Sequence, residues 1–297
     1  MQGYYRAAHA LARISRHMSK NLWIPTTDSD GVPVDVLRGI MQQLNEWRAQ
    51  YLPRVGVPAD FNAEWDFVSA VSACASDATF HIMWIILFNA LDDHGIRESL
   101  GSPHSSGGSS PAIAVASGMQ EQIKDLKAKV LDEALHGALR IAGLVRCSCS
   151  LSDLPSHLES FHLPAVCTSQ AGVLTKNGYL RLDPAAMHVS CNYAGILLAR
   201  FGRPEVQNCI EGLEQYSCSY EEAADQALEL RRLFALARAG QTDFAHMSAA
   251  VARQQQNPQS QHQPPLLQRE TPASTSLLQA HAPAGLGDSM YVDTRPF

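Results

Sequence analysis

The chain has 297 residues, of which 45% are hydrophobic, so it can bury a substantial core in one or two domains. Its formal net charge of −6 argues against a nucleic-acid-binding surface, and its densest cationic patch along the chain is the short run Lys124–Lys129. The seven cysteines are odd in number and scattered, and Met1–Met18 contains no apolar signal segment, so an intracellular protein with reduced thiols is expected.

The first part of the chain shows the residue spacing of amphipathic helices. Apolar residues recur every three or four positions from Tyr4 to Met18, and again from Val34 to Tyr51. Each pattern predicts a helix with one buried face. No segment combines alternating β-branched residues with hairpin turns, so strands are not expected.

The segment Asn62–His94 is apolar on nearly every side, and between Ser69 and Leu91 its only formal charge is Asp77. A membrane span needs about 20 predominantly apolar residues. The uninterrupted apolar run here, Ile82–Phe88, is much shorter, and no cluster of Lys or Arg flanks the segment. The pattern therefore favours a central helix of a large α-helical domain over a membrane span.

Asp77 and His81 lie at positions i and i+4 of this predicted helix, so they share one helix face. Such a pair could serve acid–base catalysis or could be a buried hydrogen-bonded pair that fixes the packing. The second interpretation is favoured because no nucleophile motif accompanies the two residues.

Three consecutive polar residues, Asp92, Asp93 and His94, end the predicted central helix. They could form a carboxylate–imidazole site for acid–base work or metal binding. Their position just before Gly95 instead favours a structural helix end, in which one carboxylate pairs with an arginine such as Arg97.

Two segments interrupt the helical pattern. Ser99–Gly118 is rich in Ser, Gly and Pro and is predicted to be a flexible loop. Val145–Gln170 has no helical period, and its potential zinc ligands do not match the spacing of a common zinc finger. Those side chains are Cys147, Cys149, His157, His162 and Cys167.

Three interpretations of Val145–Gln170 are open: a retained intron in the gene model, a natural loop, and a metal site. Every valine codon begins with GT and one glutamine codon is CAG, which supply the donor and acceptor sequences of an intron. The intron hypothesis is favoured because removing the segment would join Leu144 to Ala171 and continue the apolar pattern.

The helical pattern resumes after Pro184, with a predicted helix over Met187–Phe201 followed by two more that end at Gly240. His188 and Cys191 lie one turn apart and are interpreted as core packing, because no third group orients them. Residues 254–297 are rich in Gln and Pro, and they predict a disordered tail, which the sequence equally allows to make transient coactivator contacts or to be inert.

Ordered blocks of this sequence resemble a known family. The first is WDFVSAVSACASDATFHIMWIILFNALDDHGIRE, and it is followed by LDEALHGALRIAG, GYLRLDPAAMHVSC and LLARFGRPEVQNCIEGLEQYSCSYEEAADQALELRRLFALARAG. Together they resemble the C-terminal half of the fungal transcription-factor regulatory domain, the all-helical middle-homology region downstream of a zinc binuclear-cluster DNA-binding motif. The likeness covers roughly Tyr4–Met247 and rests on the order of the blocks, not on a catalytic signature.

The resemblance implies an all-α, multi-helix regulatory domain over residues 1–253, in a nuclear regulator of RNA polymerase II transcription. The implied partners are transcriptional coregulators, a small-molecule effector and a second copy of the chain. DNA reading would belong to an N-terminal zinc cluster that this sequence lacks, and the family's zinc ions would belong there too, so no cofactor is expected in this chain. Either the gene model starts too late, or this is a divergent relative without the zinc cluster. A start that falls within the first helical pattern, at Tyr4, favours truncation.

Enzyme motifs are not found: the sequence has no G-x-S-x-G, no P-loop and no dinucleotide-binding glycine pattern. No catalytic, metal-binding or DNA-binding residue is therefore assigned, and an enzyme is the remote alternative. The nearer alternative is a ligand-sensing helical domain without DNA binding of its own. Its effector pocket or buried polar network would be formed by Trp65, Asp77, His81, Trp84, Phe88, Asn89, Asp92, Asp93, Met187 and His188.

Overall fold

The all-α class predicted from the sequence is confirmed by a computed structural model, which describes residues 2–24, 27, 30–57, 67–97, 112–145 and 186–256. These residues belong to one unit, Met1–Asn257. Its helices are α1 (Gln2–Leu22), α2 (Val34–Val55), α3 (Phe67–His94), α4 (Ala112–Val145), α5 (Ala186–Arg200), α6 (Val206–Tyr216), α7 (Glu222–Arg238) and α8 (Ser248–Gln256). Two short strands, β1 (Val32–Pro33) and β2 (Ile96–Arg97), pair in parallel.

Helix α3 lies at the centre and packs against α1, α2, α4 and α5. Because apolar residues cover most of its circumference, it can be buried on several sides at once. Phe80, Trp84 and Phe88 are each fully buried in the contacts that result. The helix is long and apolar enough to cross a membrane, but 78% of its most apolar window is buried inside the protein.

Around this centre, α1 and α2 pack on one part of α3, whereas α4 and α5 pack on another. Helices α6 and α7 pack on α5, and α8 packs on α4. Each of the outer helices α1 and α2 uses one apolar face, as its sequence spacing predicted; Leu11 of α1 and Leu44 of α2 are examples that are buried.

The expectation that no strands form is wrong at one place. Val32 pairs with Ile96 and Pro33 with Arg97, and the Val32 N–H donates to the Gly95 carbonyl oxygen at 3.0 Å. The pair forms because α2 begins and α3 ends at the same place in the fold, so tertiary packing brings two extended residues of each segment together. A proline has no N–H to continue the ladder, and the pairing has no sequence pattern of its own.

Two predicted boundaries also differ from the structure. Helix α4 begins at Ala112, so Ala112–Gly118 of the predicted Ser99–Gly118 loop is helical. The alanines of this stretch favour a helix, although the serines and glycines that precede them give the whole segment the composition of a loop. Helix α8 extends to Gln256, three residues into the predicted tail. The rest of the loop and tail, and residues 146–170 of the predicted insertion, lie outside the described residues.

The end of α3 depends on a glycine. Gly95 has a φ of +72°, and its N–H donates to the Leu91 carbonyl oxygen at 3.0 Å, which closes the helix. A Cβ atom at this position would lie 2.9 Å from Nδ1 of His246. Both the backbone angle and the close approach therefore favour glycine here.

Gly95→Ala is expected to lower the free energy of unfolding by about 1–2 kcal/mol, because alanine in the left-handed region is strained. Gly39 in α2 is a matched control, since no atom lies within 4 Å of the position its Cβ would take. Gly39→Ala is expected to raise the free energy of unfolding by about 0.5–1 kcal/mol, because glycine weakens a helix interior. Urea denaturation measures both changes in the free energy of unfolding. Changes of the same sign would contradict the conclusion that the positive φ of Gly95 requires glycine.

Candidate functional site

Two carboxylates of α3, Asp77 and Asp92, are buried in the core, and each binds an arginine from another helix. A buried charge is costly unless it is paired and hydrogen-bonded. The residues around these two carboxylates are therefore a candidate functional site. We call the two groups the Asp77 cluster and the Asp92 cluster, after the carboxylate at the centre of each.

The Asp77 cluster joins three parts of the chain. His81 Nε2 lies 3.2 Å from Asp77 Oδ1, which confirms that these two residues form a buried pair. Arg140 of α4 donates from Nε to Oδ1 at 3.2 Å and from Nη2 to Oδ2 at 2.9 Å. The Val57 N–H, just beyond α2, donates to Oδ2 at 3.1 Å, and the Val57 carbonyl accepts from Arg140 Nη2 at 3.0 Å.

Asp77 stays ionised in this setting. Burial by itself would raise the pKa of its carboxyl group, but hydrogen bonds from His81 and Arg140, together with the positive charge of Arg140, hold that pKa well below its usual range. Because the carboxylate accepts, the His81 proton facing it is on Nε2. His81 Nδ1 has no hydrogen-bond partner among the described residues and faces Gly137, whose missing side chain lets α4 approach α3 closely.

A second ion pair lies beside the Asp77 cluster. Arg48 of α2 binds Glu133 of α4 through two hydrogen bonds. Burial would raise the pKa of Glu133, but the Arg48 guanidinium group holds it below the ordinary value. The same guanidinium group lies 5.2 Å from the ring centre of Phe80, so it also covers the aromatic core.

The Asp92 cluster fixes the segment between α7 and α8. Arg200 of α5 donates from Nη2 to Asp92 Oδ2 at 2.6 Å. The backbone N–H groups of Ala245 and Met247 donate to Asp92 Oδ1 at 2.9 and 3.1 Å. Arg200 also donates from Nε to Asp243 Oδ1 at 2.9 Å. One carboxylate thus joins the end of α3, the end of α5 and the chain entering α8.

Two further contacts hold the same segment. The Arg200 guanidinium group lies 4.3 Å from the ring centre of Phe244, and Lys127 Nζ of α4 donates to the His246 carbonyl oxygen at 2.7 Å. Burial lowers the pKa of Lys127, and the charge of Asp92 partly opposes this shift. The segment is therefore held by side chains from α3, α4 and α5.

The structure corrects the predicted partner of Asp92. The sequence suggested Arg97, but Arg97 Nη1 lies 3.2 Å from Asp30 Oδ2 instead. The turn at Gly95 directs the chain into β2 and away from Asp92. Asp93 is exposed, because consecutive residues of a helix point about 100° apart. The alternative site of Asp92, Asp93 and His94 is therefore not assembled around a common centre.

The remaining predicted site residues do not meet in one place either. His188 is buried near α7, where its Nε2 lies 2.9 Å from Gln226 Oε1 and its ring stacks on Tyr220 at 4.5 Å. Cys191 donates from Sγ to the Cys209 carbonyl oxygen at 3.2 Å. A hydrogen bond with the Cys209 side chain, together with burial, raises the pKa of the Cys191 thiol. Both residues thus take part in core packing.

The residues of the predicted effector pocket are mostly buried where the structure describes them. Trp84, Phe88 and Met187 are fully buried, Asn89 is half-buried, and Trp65 lies outside the described residues. The Nε1 atom of Trp84 has no hydrogen-bond partner within the described part of the chain. Two pockets of that part have volumes of about 170 and 250 Å³, and none of the predicted effector-site residues lines either of them; Arg200 and Asp243 line the second. The first is lined by Gly3, Arg6, Gln50, Tyr51, Arg54 and Val55.

Metal ligands do not converge in the described ranges either: no group of three or more His, Cys, Asp or Glu side chains there could hold an ion. Cys147, Cys149, His157, His162 and Cys167 fall outside those ranges. The functional residues that sequence reasoning missed are Arg140 and Arg200. A lone arginine within each apolar helix pattern, ALRIAG and LLARFG, was the available signal for a buried carboxylate partner.

Both clusters serve to hold helices and loop segments together. The oxygen atoms of Asp77 and Asp92 accept hydrogen bonds from donors of the protein, and each arginine binds its carboxylate.

Comparisons with models of protein families, with curated proteins and with solved structures found no match for this chain.

Proposed function

We propose that this chain is the regulatory domain of a fungal RNA polymerase II transcription regulator, and that it acts through protein contacts and not through chemistry. DNA reading would be supplied by a zinc cluster outside this sequence. The proposed site of action is the nucleus, with transcriptional coregulators as partners.

The observation that supports this proposal most strongly is how the family-like blocks are joined. Asp77 and Asp92 belong to the first block, Arg140 to the second, and Arg200 to the last. Each buried ion pair therefore connects one block to another, across 63 and 108 residues of sequence. The blocks form one interdependent core, as expected if they belong together in a single regulatory domain.

The use of the buried polar groups also supports a role in contacts. A catalytic site needs a nucleophile, an acid or a base that can reach a substrate. Asp77 and Asp92 are instead saturated by arginines and backbone N–H groups. This arrangement stabilises the surface that the outer helices present to partners.

We expect the chain to change transcription when it is brought to a promoter. It would be fused to an unrelated DNA-binding module and tested on a reporter gene in fungal cells. The fusion is expected to raise or lower reporter output relative to the module alone. A fusion with Asp77→Ala and Asp92→Ala is expected to lose the effect, whereas the exposed control Asp93→Ala keeps it. Equal output from the fusion and the module alone would contradict the proposal.

A further inference from the structure

Helix α1 presents a continuous basic surface to solvent. Its buried face is formed by Ala7, Leu11, Ile14, Met18 and Leu22. On the opposite face, basic residues recur at intervals of three or four positions. They are Arg6, His9, Arg13, Arg16 and Lys20, and all five are exposed. We call them the α1 basic stripe.

The geometry of a helix makes this stripe narrow and straight. At 100° per residue, its five side chains fall within about 80° of the helix circumference, centred opposite the buried face. At 1.5 Å per residue, the distance from Arg6 to Lys20 along the axis is about 21 Å. The helix contains no Asp or Glu.

The charges of the stripe are not neutralised within the described part of the protein. Arg6, Arg13, Arg16 and Lys20 make no ion pair there, whereas Arg48, Arg140 and Arg200 each bind a carboxylate. Like charges one turn apart repel and weaken a helix. The stripe is thus an uncompensated positive surface on a chain whose net charge is −6.

A groove extends this surface onto α2. The pocket of about 170 Å³ lies at the start of α1 and the end of α2, where Arg6 and the exposed Arg54 both contribute to its lining. Gln50 and Tyr51 also contribute to this lining. An anion that follows the stripe toward the start of α1 would therefore meet a second positive group.

The surroundings of the α1 basic stripe favour a nucleic acid over an acidic membrane or a protein partner. A helix that binds an acidic membrane inserts its apolar face into the lipid, but the apolar face of α1 is already used in the protein core. A protein partner would be expected to find an apolar anchor at the centre of the interface, whereas Ala8, Ala12 and Ser19 border the stripe there. Phosphates of a nucleic acid need only regularly placed cations, and arginine binds them with two parallel hydrogen bonds.

We propose that the α1 basic stripe binds the phosphate backbone of duplex DNA without reading its sequence. The choice of DNA over other polyanions rests on the proposed function, since a transcription regulator works beside DNA. Such contacts would hold the regulatory domain against the duplex next to the sequence that a separate module reads. Tyr5 and Trp23, 65% and 55% exposed, mark the two ends of the helix that would lie along the backbone.

Fluorescence anisotropy with a labelled duplex of arbitrary sequence tests this proposal on the full chain. If four cations contact phosphates, affinity falls by about 150-fold between 50 and 200 mM salt, because the logarithmic slope is about −0.9 per contact. Arg13→Ala with Arg16→Ala is expected to halve that slope, so that the same salt change lowers affinity by only about 12-fold. At 50 mM salt the doubly substituted protein is expected to bind at least about 10-fold more weakly.

The matched control is Lys129→Ala with Arg253→Ala, which removes two exposed cations from α4 and α8 and changes the net charge equally. It is expected to keep the wild-type slope. Loss of binding in both pairs alike, no binding by the wild-type chain, or tighter binding to phosphatidylserine vesicles than to duplex at equal salt would each overturn the proposal. Circular dichroism checks that all proteins are folded. None of these outcomes decides the reporter experiment, so a failure of this proposal can be distinguished from a failure of the proposed function.

Discussion

Replacing Asp77 with alanine is expected to lower the free energy of unfolding by about 3 kcal/mol. Breaking a buried ion pair by removing one partner costs about 3–5 kcal/mol, and the lower end applies because the Arg140 side chain is 20% exposed. The substitution also leaves the Val57 N–H without its acceptor. Urea denaturation of the wild-type and substituted chains measures the change.

Asp93 provides the matched control, since it is an exposed aspartate of the same helix. Asp93→Ala is expected to change the free energy of unfolding by less than about 0.5 kcal/mol, as surface substitutions do. Adding Arg140→Met to Asp77→Ala should recover part of the loss, because the unpaired guanidinium group is then removed as well. Equal costs for Asp77→Ala and Asp93→Ala would show that the Asp77 cluster does not stabilise the fold.

The effect of Asp77→Ala also has a defined pH dependence. The pKa of Asp77 is depressed in the folded state below its ordinary value of 3.8. Its contribution to stability is therefore fully present above that ordinary value and is lost as the pH falls below it. The difference between wild type and Asp77→Ala should stay constant from neutral pH to about pH 5 and shrink below about pH 4.

Asp92→Ala is expected to release the segment between α7 and α8 and to lower the free energy of unfolding by about 2–4 kcal/mol. The substitution removes the buried acceptor of Arg200, which keeps only its contacts with the exposed Asp243, and it leaves two backbone N–H groups without their acceptor. Hydrogen–deuterium exchange should show faster exchange over residues 243–256, with α1 and α2 unchanged. The effect is expected to be local because Asp92 accepts two backbone N–H groups of this segment directly, whereas α1 and α2 make no hydrogen bond to it among the described residues.

Asp243→Ala is the control for this experiment. Asp243 also binds Arg200, but its side chain is 71% exposed, so its ion pair contributes little. Its exchange pattern should match that of the wild-type chain. If Asp92→Ala instead increases exchange evenly over all helices, or leaves residues 243–256 protected, the Asp92 cluster does not act as a local anchor.

The α1 basic stripe does not form a cluster of neighbouring cations along the sequence. Its cations are separated by two or three other residues, so the sequence suggested Lys124–Lys129 as the densest cationic patch. Helical spacing collects Arg6, Arg13 and Lys20 on one side. The apolar pattern of the same helix already indicated which side would face solvent, so the stripe could have been found from the sequence.

The helices and the buried pair of Asp77 and His81 could be predicted from local sequence patterns. Helical periodicity and i, i+4 spacing depend only on neighbouring residues, so a local pattern is sufficient to predict them. The same argument located the glycine-dependent end of α3 at Gly95.

The partners of the buried carboxylates depend on long-range packing and could not be predicted from local patterns. Arg140 and Arg200 lie 63 and 108 residues from Asp77 and Asp92, and no local pattern specifies which distant helices pack together. Arg97 lies closest to Asp92 in the sequence and was therefore the predicted partner. The chain turns at Gly95, which has a positive φ, and Arg97 binds Asp30 instead. The ion pairs follow from how α4 and α5 pack against α3. Burial of the apolar faces of these helices determines the packing, and the packing places Arg140 and Arg200 beside the two carboxylates.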